Sequence, residues 1–135
     1  MSEYDFHQHL RTTVEHVIEP QPWGRLEWYV SAAIGNSTTM TVGKCVLDPD
    51  QANGRHCHPN CDEILTVLKG RIIQHWDDQS RVMVEGDVVS IPSGVRHSAH
   101  NIGAGQAELA ISFSSAHRQT VGAERWSRCR GVRRA

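Results

Sequence analysis

Three side-chain types suited to metal chemistry crowd one short stretch, "GRHCHPNCDEILTVLKG", residues 54–70: His56 and His58, Cys57 and Cys61, Asp62 and Glu63. In an extended strand alternate side chains share a face. His56 and His58 therefore point the same way, and Cys57 points the other. The "PNCD" that follows is a turn, because Pro59 lacks a donor and Asn60 and Asp62 favour turn geometry. Glu63 opens the next strand on the same face as Leu65 and Val67. A carboxylate in line with core residues is costly to bury unless it is paired or metal-bound. Two imidazoles and one carboxylate turned into an apolar interior suit a divalent ion of intermediate softness. The alternative is plainer: surface loop histidines and a solvated carboxylate at a strand end. The sulfurs fit ligation less well, since Cys57 faces away and Cys61 sits in the turn. Their C-x-x-x-C spacing also lacks the second cysteine pair of a tetrahedral zinc site.

A second stretch, "GDVVSIPSGVRHSAHN", residues 86–101, adds a further ligand candidate. Pro92 fixes φ and Gly94 can take a positive φ, so the chain turns back as a strand carrying His97 inward. His100 has the opposite parity and is expected to face out. His75, in "RIIQHWDD", reads as an outward or core histidine and Trp76 as packing. The "DFHQHL" near the N-terminus repeats His-x-His without a following carboxylate or turn, so His7 and His9 are set aside.

The pair of stretches resembles the two signature motifs of the cupin superfamily. The first motif is G-x5-H-x-H-x(3,4)-E-x6-G, matched by His56, His58, Glu63 and Gly70; Asp50 stands where the leading glycine would be. The second is G-x5-P-x-G-x2-H-x3-N, matched by Gly86, Pro92, Gly94, His97 and Asn101. The short spacing between them is similar to that of compact single-domain bacterial cupins. The resemblance implies an all-β jelly-roll barrel (the double-stranded β-helix) with His56, His58, Glu63 and His97 as ligands of one metal ion. The mixed nitrogen and oxygen set favours Mn, Fe, Ni, Co or Zn over Mg or Ca.

The elements that must position these residues are short. "GRLEWYVSAAI" reads as a first strand, followed by "TMTVGKCVL", "EILTVLKG", "RIIQHWD", "RVMVEG", "DVVSIP", "VRHSAHNIG" and "ELAISFSS". Many short strands with Gly, Pro, Asn and Asp between them, and no long helical period, mean a sandwich or barrel. The organisation expected is an N-terminal segment over 1–38, a barrel over 39–117 and an arginine-rich, flexible tail over 118–135. The prolines of "EPQPWG" stop any helix. Trp23 and Trp28 in the N-terminal segment are expected to pack on a second subunit and make a homodimer.

The chain has 135 residues, enough for one domain with one core. A net charge of −1 argues against nucleic acid or an anionic membrane as partner, and no apolar run is long enough to span a bilayer. No basic and apolar leader opens the chain, so a cytoplasmic location is expected. Cys45, Cys57, Cys61 and Cys129 are then free thiols. Ser-His-Asp order, phosphate loops and dinucleotide fingerprints are missing. Three functions compete. The first is a metal-dependent enzyme (dioxygenase, isomerase, lyase, decarboxylase or cyclase) acting on a small acid, enol, sugar derivative or polyketide-like compound. The second is a non-catalytic small-molecule binder or sensor, and the third a structural subunit with a degenerate site. The intact ligand set disfavours the third.

Overall fold

The computed structural model describes residues 3–122 together with Arg125 and Cys129. A short helix, α1 (Phe6–His9), is capped by Asp5, whose carboxylate accepts the His7 N–H at 2.9 Å. Eleven strands follow in two antiparallel sheets. The larger runs in the order β1 (Val17–Gln21), β2 (Gly24–Val30), β3 (Thr41–Leu47), β10 (Ala107–Phe113), β5 (Glu63–Lys69), β8 (Val88–Ile91). The smaller runs β11 (Val121–Gly122), β4 (His56–Cys57), β9 (His97–Asn101), β6 (Arg71–Trp76), β7 (Gln79–Val84). The chain crosses repeatedly from one sheet to the other, which makes the jelly roll the motifs imply.

The core lies between the sheets. Leu47, Ile72, Ile91 and Leu109 are its largest fully buried aliphatic side chains. Cutting any one of them to alanine would cost about 2–5 kcal/mol. On β5, Glu63, Leu65 and Val67 are buried while Ile64 and Leu68 are exposed, as strict alternation requires.

The proline-rich segment before Trp23 is no helix, and Val17–Gln21 forms β1 at the sheet edge. Pro20 is tolerated there since an edge strand has one unpaired side. Two sequence expectations are corrected by the structure. Trp28 does not turn toward another subunit. Its ring is buried in the barrel, 6.3 Å from that of Phe113, and its indole N–H donates to Glu19 at 3.1 Å. The cysteines are not all free, since Cys57 and Cys129 form a disulfide while Cys45 and Cys61 remain buried thiols. Parity had already turned Cys57 away from the ligand face. On that rear side Cys57, Val121 and Cys129 form their own small buried cluster.

The assigned tail also begins later than residue 118. Arg118 to Gly122 are built into the barrel, with β11 pairing Val121 to Cys57 and Gly122 to His56. Most of the remaining tail lies outside the described residues.

Candidate metal centre

Both sheets contribute to the site. His56 lies on β4 directly opposite His97 on β9, and His58 follows one residue beyond β4. Glu63 comes from the other sheet, opposite Ile91 on β8 and Phe113 on β10. The two stretches are tied together by backbone: the Gly94 N–H donates to the His58 carbonyl at 3.0 Å, and the Ser93 N–H to Asp62 Oδ1 at 3.0 Å. The Pro92–Gly94 turn thus docks on the ligand loop. One ligand atom from each of His56, His58, Glu63 and His97 lies within 4.8 Å of every other. The structure brings together all four residues the sequence nominates.

The hydrogen bonds fix the imidazoles. Nδ1 of His56 lies 2.7 Å from the Gly54 carbonyl, that of His58 2.9 Å from the Gln119 carbonyl, and that of His97 2.9 Å from the Val95 carbonyl. A carbonyl only accepts, so each Nδ1 carries the proton and each neutral ring keeps a lone pair on Nε2. The His97 and His58 Nε2 atoms stand 3.0 and 3.2 Å from Glu63 Oε1, and His58 Nε2 is buried with no hydrogen-bond partner. Lone pairs facing a carboxylate at this range repel unless a cation stands among them. The donor set therefore fits a metal ion, with its imidazoles oriented as in carbonyl-locked metal sites.

The electrostatics agree. Burial, and then the neighbouring His97 and His58, push the His56 pKa down to about 3, so this ring is neutral and ready to ligate at neutral pH. Burial alone would raise the Glu63 pKa. When His58 and His97 carry a proton on Nε2, their hydrogen bonds and positive charge outweigh it and hold Glu63 well below the usual carboxylate range; with both rings neutral a bound cation would take over that role.

A cavity of ≈ 330 Å³ opens onto the four ligands, a size typical of small-molecule sites. Its walls mix apolar residues (Leu26, Leu65, Leu109, Ile111) with Gln74, Asn53, Glu19, Thr120 and Arg118. The alternation of Ile72 and Gln74 on β6 was a signal that Gln74 points inward. Its Oε1 is buried with no partner among the described residues. Arg118, Gln119 and Thr120 carry no such signal, because they sit in a polar stretch whose placement depends on Asn60. The Asn60 side chain accepts the Gln119 N–H at 2.9 Å and donates to the His117 carbonyl at 2.9 Å.

The other candidates fall outside the cluster. His100 faces away and approaches Asp50, with Nε2 3.1 Å from Oδ1. His75 and Trp76 do not line the cavity, and His7 and His9 sit exposed on α1. Cys61 is buried in the core, its thiol pushed up to about 11 chiefly by burial, so no thiolate is on offer.

An antiparallel jelly roll carrying such a site at its mouth is a small metal-binding β-barrel. The chain belongs to the cupin domain family, which it matches over residues 24–113. It is similar to germin-like protein 3-8 of rice (Oryza sativa subsp. japonica), at 28% identity over 85 residues, covering 59% of this chain and 38% of that protein. Oxalate oxidase GF-2.8 of wheat (Triticum aestivum) is 31% identical over 88 residues, covering 59% and 39%. The chain spans about two-fifths of the length of these curated relatives. These relatives are plant proteins, and they do not support the bacterial likeness expected from the motif spacing. Among solved structures, an oxalate oxidase superposes with a TM-score of 0.67 at 25% identity, over 73% of this chain and 54% of that one. Oxalate decarboxylase from Bacillus subtilis gives 0.74 at 22% identity, over 84% and 31%, a likeness of fold alone.

Proposed function

We propose that the chain binds one divalent transition-metal ion (Mn, Fe, Ni, Co or Zn) through His56, His58, Glu63 and His97, and uses it as an enzyme on a small organic acid. The observation that carries this is the carbonyl-locked Nε2 set of His58 and His97 facing the buried Glu63 carboxylate. Such an ion supplies Lewis acidity and open coordination positions. The chain supplies the rest. Gly54, Val95 and Gln119 carbonyls orient the ligands, and the apolar walls exclude water and strengthen charge interactions inside. Two guanidinium groups, Arg55 and Arg118, line the cavity against two carboxylates, Glu19 and Glu63. A bound divalent cation therefore leaves it positive, and an anionic substrate is favoured. The likeness to oxalate oxidase supports oxalate or a related short acid as the first substrate to try.

The test is elemental analysis of purified protein, then a screen of oxalate and other small acids and enols for metal-dependent turnover. Protein that takes up no transition metal after reconstitution overturns the reading. Metal uptake with acid binding but no turnover of any of them supports the second reading, a non-catalytic binder or sensor. Glu19 is the only carboxylate besides Glu63 that lines the cavity among the described residues, and it is already engaged by Trp28 and Gln21.

Homodimerisation belongs to the same proposal, on different residues from those the sequence nominates. Val17 and Ile18 are exposed on the edge strand β1, Val14 in the turn just before it, and Ile64, Leu68 and Val88 elsewhere on the same sheet. An open edge beside exposed apolar residues invites pairing with a second copy. A monomeric mass by light scattering at micromolar concentration would overturn it.

A further inference from the structure

Arg118 is a cation held inside the cavity with no carboxylate partner among the described residues. Its guanidinium lies 4.5 Å over the Trp28 ring and 5.1 Å from the Phe113 ring centroid. Its one hydrogen bond among the described residues runs from Nη1 to Thr120 Oγ1 at 2.6 Å. Glu63 and Glu19 act on it only through space, while burial works against its charge. A guanidinium has five N–H donors in a planar fork, so four find no partner among the described residues. Leaving such a group half-desolvated and unpaired is unfavourable unless an anion completes it.

Its placement relative to the ligand cluster is fixed. Thr120 Oγ1, which accepts from Arg118, is also 3.2 Å from His58 Nδ1, and the intervening Gln119 carbonyl accepts from that same ring. Asn60 clamps the segment from outside. The Phe113 ring has the His58 ring at 4.9 Å on one contact and the guanidinium on another. The cation and the ligand imidazole therefore stand on two chain segments tied together by Asn60, joined by no direct hydrogen bond.

Resting on the proposed function, we infer that Arg118 is the specificity-determining anchor for a second anionic group, so that the favoured ligand is a small dicarboxylic acid longer than oxalate, one end at the His56, His58, Glu63 and His97 cluster and the other in the Arg118 fork. Oxalate's two carboxylates share a single C–C bond, whereas a longer diacid carries its second carboxylate away from the first on a flexible spacer. Arginine suits the role because its fork takes a carboxylate bidentately, while cation–π contacts with Trp28 and Phe113 hold the guanidinium.

The test titrates metal-loaded full-length protein calorimetrically with succinate, glutarate, butyrate and oxalate, for the natural chain, Arg118→Gln and Arg118→Lys. Metal content and melting temperature are measured alongside. The expected result is that succinate or glutarate binds on the order of ten- to a hundredfold more tightly than butyrate. Arg118→Gln abolishes that ratio while metal content stays at one ion per chain, and Arg118→Lys restores part of it. A succinate-to-butyrate ratio unchanged in Arg118→Gln, or oxalate bound more tightly than every longer diacid, overturns the inference and leaves the proposed function standing. Failure of the natural chain to load metal overturns the proposed function instead. If Arg118→Gln does not fold, the Arg118→Lys ratio decides: a value equal to that of the natural chain shows that no fork is used.

Discussion

Replacing Cys57 with serine should cost the protein much of its stability and none of its metal. The Cys57–Cys129 bond closes a loop with a sequence separation of 72 residues. Loop-closure entropy for that length gives an upper value of about 4 kcal/mol at 25 °C, and native disulfides commonly deliver about 2–4. For a chain of this size that corresponds to a fall in Tm on the order of 10 °C. The ligand strand that bears Cys57 is only two residues long, and its rear contacts among the described residues are Val121 and Cys129. Metal stoichiometry should nonetheless stay at one per chain, because Cys57 points opposite to His56 and His58. The assay is thermal unfolding of the natural chain with and without reductant, and of Cys57→Ser, Cys129→Ser and the double variant. Thiols are counted in denaturant. Two thiols (Cys45 and Cys61), equal losses for the three variants and no further loss on reduction are expected. Four titratable thiols, or a Cys57→Ser variant melting within 2 °C (about 0.5 kcal/mol) of the natural chain, would refute the bond. Loss of metal from folded Cys57→Ser, or from the folded Cys57→Ser/Cys61→Ser pair, would refute the assignment of faces. Persistence of the bond in protein taken directly from its source would also speak for an oxidising compartment.

His97→Ala should weaken metal binding by at least about tenfold, and His100→Ala should leave it nearly unchanged, both read by metal content after dialysis against a chelator. Glu63→Gln should abolish metal uptake yet raise the Tm of the metal-free protein, because an amide N–H can donate to the lone pairs of His58 and His97; the gain is about 1–3 kcal/mol, and a lower Tm would contradict the tautomer assignment. Glu27 predicts a pH effect. Burial opposes its ionisation, but hydrogen bonds from Arg25 (2.7 Å) and Tyr29 (2.9 Å) and the charge of Lys44 prevail and lower its pKa. A carboxylate lowered on folding contributes stability above its unfolded pKa of ~4.3 and loses it as pH falls through the folded value. Glu27→Gln should therefore flatten the Tm profile below about pH 4.3, and an unchanged acid slope would show that the cluster is not coupled to folding.

What the sequence discloses about this barrel depends on how local the physics is. The β5 strand is legible because Glu63, Leu65 and Val67 alternate with exposed positions over one short run. The clustering of His56, His58, Glu63 and His97 is legible because strand parity and two tight turns fix it within each stretch. β1 is not legible: all but the last of its residues are exposed, and two prolines interrupt the segment, so neither alternation nor composition marks a strand. Its pairing with β2 alone makes it one. The disulfide is hidden for a different reason. Four cysteines allow three pairings as well as free thiols, and nothing near Cys57 points to a partner so far along the chain. Arg118 is the same case, placed by the side chain of Asn60 in a loop almost sixty residues earlier.

The motif positions themselves divide by what they demand. Gly70 has a φ of +93°, and a Cβ there would stand 3.1 Å from the Ala107 Cα, so both conformation and space require glycine. Asp50, which stands in the first motif's leading glycine place, has a φ of +61°. Aspartate is among the few residues that enter this region at modest cost, and its carboxylate and carbonyl both meet His100 Nε2, at 3.1 and 3.2 Å. That place therefore asks only for a left-handed backbone, which is why its loss leaves the ligands undisturbed. Asn101 is chemical rather than conformational. Fully buried, its amide donates to the carbonyls of Leu47, Asp48 and Gly105 and accepts the Gly103 N–H. It pins the end of β3 to the turn leading into β10, and no residue without both an N–H2 and a carbonyl of that reach could satisfy all four partners. The histidines and Glu63 answer to the proposed ion, Asn101 to the backbone carbonyls, Gly70 to a neighbouring strand and position 50 to φ alone. Tolerance to substitution should follow that order of constraint.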